Sequence, residues 1–151
     1  MKYKKYTGPF GKPLKPITGH IEDYFEELRR VFETFVEIKI VYLFGSHAKG
    51  DLRKTSDVDI AIVAPNIGLD GYKKLWSDTR DVLSTERFDF IALDNKPVSF
   101  RFEVISKGRP IYFRNKDFLN DFELRTIKAY LDTNYLRSQN AKVLEERLNG
   151  L

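Results

Sequence analysis

The sequence predicts an α+β fold, a mixed sheet of about four strands covered by helices. Three observations lead there. Short, apolar, β-rich runs alternate along the chain with segments whose apolar residues recur at spacings of three and four. The length, 151 residues, is that of one domain, and a chain of this size buries roughly 70% of the surface its unfolded form exposes. Apolar residues make up 42% and aromatics 14%, which supplies one real core and excludes a disordered chain.

Each element can be justified in order. Thr18 is a candidate N-cap for a helix in which Ile21, Tyr24, Phe25, Leu28, Val31, Phe32 and Phe35 form one apolar face. Ile38 to Phe44 reads as a buried strand that stops at Gly45 and Ser46. After the polar stretch His47 to Ser56, a second strand runs from Asp57 to Val63, with Val58, Ile60 and Ile62 on one side and Asp57, Asp59, Ala61 and Val63 on the other. Pro65 and Gly68 break that pattern, and Tyr72, Leu75, Trp76, Thr79 and Leu83 then mark a second amphipathic helix. Arg87 to Leu93 makes a third strand, Val98 to Ser106 a short helix ending near Gly108, and Pro110 to Phe113 an edge strand. From Asp117 no Pro or Gly appears until Gly150, so a long helix closes the chain. Its residues Leu124, Ile127, Leu131 and Tyr135 form one apolar stripe, and Val143, Leu144 and Leu148 follow an interruption. These final turns are candidates for packing on another chain, a second copy or a different protein. Residues 1–18 are expected to form a basic flexible tail and residues 19–151 a single domain, with no repeat or long linker.

Charge and composition exclude several classes. The net charge is +4, but Lys2, Lys4, Lys5, Lys12 and Lys15 lie in the tail with no acid among them, which leaves the rest of the chain at −1. The body therefore offers no charge argument for nucleic acid, and the tail is the one segment with the charge to meet a polyanion. No apolar run is long enough to span a membrane and no secretory signal is evident, so a cytoplasmic protein is expected. The absence of Cys excludes thiolate metal sites and thiol nucleophiles, and the two His, His20 and His47, are far apart. Any metal must be held by oxygen.

The chemistry concentrates in Gly45-Ser46-His47-Ala48-Lys49-Gly50-Asp51 and, with ten residues between Ser46 and Asp57, in Asp57-Val58-Asp59. A Gly-Ser turn after a buried strand lets backbone N–H groups approach phosphate oxygens. It is not a Walker A loop, because Asp51 stands where that motif needs Lys, and no GxGxxG is present. Asp is depleted in strands, yet Asp57 and Asp59 share one face of an otherwise apolar strand, with Cα atoms about 6 to 7 Å apart. Their oxygens suit a magnesium ion, which takes oxygen ligands and commonly combines carboxylates with substrate phosphates. A third acid, Asp89, interrupts the next strand. If the two strands lie side by side, three carboxylates meet, the donor set for two cations about 3.5 to 4 Å apart that drive an in-line phosphoryl or nucleotidyl displacement.

Those residues resemble the DNA polymerase β-like nucleotidyltransferase superfamily, whose signature is Gly-Ser, about ten residues, Asp-x-Asp, and a later acid on a neighbouring strand. The stretch Tyr42 to Val63, YLFGSHAKGDLRKTSDVDIAIV, is similar to its minimal (MNT) subfamily, and the likeness extends through Phe88 to Phe113 and on to about Arg137. The resemblance implies the polymerase β-like nucleotidyltransferase fold and an enzyme that moves AMP from ATP to an acceptor hydroxyl with Mg2+, two ions, for which Mn2+ can substitute. Gly45 and Ser46 would hold the triphosphate, Asp57 and Asp59 the metals, and Asp89 would complete the site. Lys49 and Arg53, or Lys54 beside them, would steady phosphate charge; Lys49 stands where relatives often have Arg. The resemblance also implies a role as the antitoxin of a toxin–antitoxin pair, with a tyrosine of a HEPN-type toxin as acceptor. The HEPN pattern, Arg followed by four residues and His, does not occur here. The alternatives are a small-molecule acceptor such as an aminoglycoside, for which the chain is short, and a non-catalytic antitoxin that works by binding alone.

Overall fold

A computed structural model describes residues 16–45 and 57–150. The tail lysines and the candidate site residues Ser46, Lys49 and Arg53 lie outside the described residues, as do His47 and Lys54. Four strands form one sheet in the order β3-β2-β1-β4, where β1 is Ile40–Phe44, β2 Val58–Val63, β3 Phe88–Ala92 and β4 Arg109–Phe113. β1 pairs antiparallel with β2 and β4, while β2 and β3 are parallel. The expected α+β architecture with a mixed four-stranded sheet is therefore present. A parallel pair needs a crossover, and α2, Leu69–Leu83, supplies it between β2 and β3.

Period-2 alternation divides the strands between two cores. Val41, Leu43, Val58, Ile60, Ile62 and Phe88 point to the face covered by α2 and by α1, Phe25–Glu33. Ile40, Tyr42, Ala61 and Val63 point to the opposite face, where Leu93, Val104 and Leu119 complete a second cluster. That face is covered by α3, Val98–Lys107, and α4, Lys116–Asn149. The first helix begins differently from the sequence expectation. Gly19 takes φ +80, and the chain turns into a short 3-10 helix, Ile21–Tyr24, whose cap is His20 rather than Thr18. The backbone N–H of His20 donates to Asp23 Oδ2 at 3.2 Å, and Thr18 instead offers its carbonyl to the Tyr24 hydroxyl at 2.6 Å.

Two contacts fix how α4 lies on the sheet. The hydroxyl of fully buried Tyr42 donates to Glu123 Oε1 at 2.7 Å, and Tyr130 stacks on Phe102 of α3 with ring centroids 3.8 Å apart. The burial of Tyr42 and the adjacent Glu123 carboxylate push the Tyr42 phenol far above its ordinary value, so it stays a donor at every physiological pH. These contacts rotate α4 so that Leu119, Phe122, Thr126 and Tyr130 face inward, while Leu124, Ile127, Leu131 and Tyr135 stand 39–64% exposed. The apolar stripe that the sequence displays therefore points away from the domain. From Asn134 to Asn149 every residue is exposed. No helix among the described residues is long and apolar enough to cross a membrane.

Replacing Tyr42 by Phe leaves the Glu123 carboxylate without its buried donor. The variant should lose about 1–3 kcal/mol of stability, read as a lower urea midpoint at unchanged slope.

Candidate active site

The acid-bearing face follows from strand register. Asp59 pairs across β1 with Phe44 and across β3 with Asp89, so two of the three carboxylates rise from directly adjacent positions of neighbouring strands on one face. Adjacent strands lie about 4.8 Å apart. Asp57 precedes β2 by one residue and shares the side of Asp59. All three have intermediate exposure, at the end of the sheet where β1 gives way to Gly45. The topology thus places Asp57, Asp59 and Asp89 on one face at one end of the sheet.

Gly45 is required here twice over. Its φ of +76 lies where side chains are strained, and a Cβ on it would stand 2.5 Å from Asp59 Oδ2. Gly45 therefore packs against the Asp59 carboxylate, which sets its own backbone beside that acid. Gly108, at the end of α3, works by closeness alone: a Cβ there would meet the Leu43 carbonyl at 3.1 Å.

The site contains one residue that the motif does not name. Arg87 Nε donates to Asp57 Oδ1 at 3.0 Å, and the two side chains are only 9% and 11% exposed. The sequence held a signal for it: Arg87 precedes Asp89 by two residues, and the register that pairs Val58 with Phe88 sets it beside Asp57. Tyr72 of α2 packs edge-on to Phe90, ring centroids 6.2 Å apart. Burial, and secondarily the charge of Asp89, raise the Tyr72 hydroxyl above its ordinary pKa. A cavity of about 250 Å³ opens beside Gly45, lined also by Phe44, Phe100, Glu103, Val104 and Lys107. A larger groove, about 690 Å³, lies by Lys39, Arg114 and Asp117, at the opposite end of β1 from the acids.

Among the described residues no group of three or more His, Cys, Asp or Glu side chains already stands in ligating geometry. The donor chemistry nevertheless fits magnesium. Hard carboxylate oxygens share one face, one of them abuts a turn lacking a Cβ, and no soft ligand competes. The sheet order, the Gly at the strand end and acids on two parallel neighbours match what the resemblance to the nucleotidyltransferase superfamily implies.

Comparison with known proteins agrees: the polymerase beta nucleotidyltransferase family matches residues 26–117, and the chain belongs to that family. More particularly, it is similar to the protein adenylyltransferase MntA of Shewanella oneidensis, 24% identical over 112 residues that cover 73% of this chain and 76% of that one. Among solved structures it superposes on a toxin–antitoxin crystal structure with AMP-PNP at a TM-score of 0.60 and 21% identity, covering 85% of this chain and 98% of the other. It also resembles a chain from a structure of a tri-AMPylated Shewanella oneidensis HEPN toxin in complex with an MNT antitoxin, with a TM-score of 0.58, 16% identity and coverage of 84% and 98%. At these identities the superpositions show a shared fold, the polymerase β-like one that the motif implied.

Gly45→Ala should displace the Asp59 carboxylate and strain the backbone. The variant is expected to stay folded by circular dichroism, lose about 1–3 kcal/mol, and bind Mn2+ at least fivefold more weakly by calorimetry.

Proposed function

We propose that this protein transfers AMP from ATP to a protein hydroxyl, specifically a tyrosine of a HEPN-type toxin, and so acts as the antitoxin of a toxin–antitoxin pair. The observation that carries this reading is the register pairing of Asp59 with Asp89 beside Gly45. It is supported by family membership and by the likeness to MntA, a protein adenylyltransferase. The fold shared with an antitoxin that accompanies an AMPylated HEPN toxin supports the choice of partner. Such chemistry belongs in the cytoplasm, where ATP is available.

The residues divide the work. Asp57, Asp59 and Asp89 would hold two Mg2+ ions, the positive charge of which stabilises the developing negative charge on attacking and leaving oxygens. The backbone of Gly45 and Ser46 would hold the triphosphate, with Lys49 and Arg53 placed in sequence to offset phosphate charge. Asp89 lies one strand further from the turn than Asp59, on the side where an acceptor hydroxyl must enter if the leaving pyrophosphate rests at the turn. In that position its carboxylate would hold the ion that lowers the pKa of the acceptor hydroxyl, the alternative being that it takes the hydroxyl proton itself as the new O–P bond forms and the bond to pyrophosphate breaks. The exposed stripe of α4, from Leu124 to Tyr135, gives a helical partner an apolar seat.

The test is to incubate the protein with its HEPN-type partner, Mg2+ and ATP labelled at the α-phosphate. Label should appear on a partner tyrosine. Asp57→Asn and Asp59→Asn should each cut the rate about 100-fold or more, since each removes several kcal/mol of charge stabilisation. Label that survives both changes, or a tight complex that never acquires label, would refute transfer from this site.

A further inference from the structure

We infer that Arg87 is a positioning residue that serves the acid cluster as an internal counter-cation: it holds Asp57 in place before metal and nucleotide arrive, and it weakens metal binding in the absence of nucleotide. The inference rests on the reading of the three acids as a magnesium seat.

Three aspartates on one sheet end repel one another, and the side chain of Asp57 is only 11% exposed. A carboxylate withdrawn from water to that degree is held by compensating charge or it disturbs the fold. Arg87 supplies that charge at 3.0 Å and is itself 9% exposed. The pairing is structurally inexpensive to arrange. Arg87 leads directly into β3, and its backbone carbonyl accepts from the Val58 N–H at 3.1 Å, so the parallel ladder itself sets the two side chains face to face.

Stability alone is a poor account of this pair. A buried ion pair gives little net stabilisation over apolar residues of the same size, and the surrounding strands are apolar enough to have accepted them. What the pair provides is an Asp57 carboxylate held in one orientation. The bond engages Oδ1, in the manner of the outer-sphere partners that orient carboxylate ligands. The same guanidinium is a fixed positive charge next to the proposed cation site, so it opposes an incoming divalent ion. It lowers the charge of the three-acid group from −3 to −2, and the negative triphosphate then restores the attraction that the arginine removes. Metal and nucleotide would consequently bind with positive coupling.

The test uses the full chain and Mn2+ as probe, read by calorimetry and by thermal melting, with Arg87→Met, Arg87→Lys and the charge-free pair Arg87→Met/Asp57→Asn. Arg87→Met should melt lower than wild type without metal, bind Mn2+ alone at least fivefold tighter, and gain more in melting temperature from saturating Mn2+ than wild type gains. Arg87→Lys keeps the charge and should bind Mn2+ within about twofold of wild type. The double variant should regain the wild-type melting temperature without metal, including where Arg87→Met alone fails to fold. Equal or weaker Mn2+ binding by Arg87→Met overturns the counter-cation role, as does a double variant that stays unfolded. If wild type and every variant ignore Mn2+ while remaining folded, the metal-seat reading falls first and this inference with it.

Discussion

Everything at the working end of this molecule depends on the tolerance of negative charge on a sheet face that is elsewhere apolar. Along β2 the same side carries Asp57 and Asp59 and then Ala61 and Val63, the last two buried in a core with Leu93 and Leu119. One face is thus divided along its strands. The half bearing alanine and valine is covered by α3 and α4, and the half bearing the acids keeps intermediate exposure. Extending helical cover over the acids would desolvate three carboxylates together, at a penalty no nearby apolar contact offsets. The sheet can hold both halves because Gly45 has no side chain to crowd Asp59 and because Arg87 lies against Asp57.

The parallel pairing of β2 and β3 is the topological counterpart of that constraint. An antiparallel hairpin after β2 would have been simpler, but it places the next strand with its start at the far end of the sheet. The α2 crossover brings β3 back to begin at the same end, so that Asp89, the second residue of β3, stands next to Asp59, the second residue of β2. The packing of Tyr72, Trp76, Phe88 and Phe90 then anchors α2 under that edge from the opposite face. Sheet topology and acid convergence are one arrangement.

Much of this was legible in the sequence, and the remainder failed for identifiable reasons. Alternation in Asp57 to Val63 assigns the acids to one face without any structure, since period-2 geometry admits no other result. That Asp89 meets Asp59 was conditional, because strand adjacency depends on long-range pairing that local patterns do not encode. Arg87 read as an ordinary first residue of a strand, and its partner lies thirty residues away. In α4 the arrangement is inverted relative to an ordinary surface helix. The conspicuous leucines and isoleucine face outward, and the inward side carries a threonine, Thr126, whose hydroxyl is satisfied by the Phe122 carbonyl at 2.8 Å. Hydrophobic periodicity reports that a helix has an apolar face, and says nothing of which neighbour that face meets.

That inversion bears on the whole molecule. A helix that seats itself through the Tyr42–Glu123 hydrogen bond, the Phe102–Tyr130 stack and inward Leu119, Phe122 and Thr126, while directing Leu124, Ile127, Leu131 and Tyr135 into solvent, has a second apolar face left for something else. The terminal half of α4 is harder still to explain in a lone chain. Its sixteen residues from Asn134 to Asn149 are all exposed, and a helix of that length without tertiary contacts is marginal in water. α4 covers the same sheet face that bears the acids. A protein seated along its outer stripe would therefore sit on the side of the sheet that carries the acids, so the orientation of this one helix decides which sheet face a partner meets.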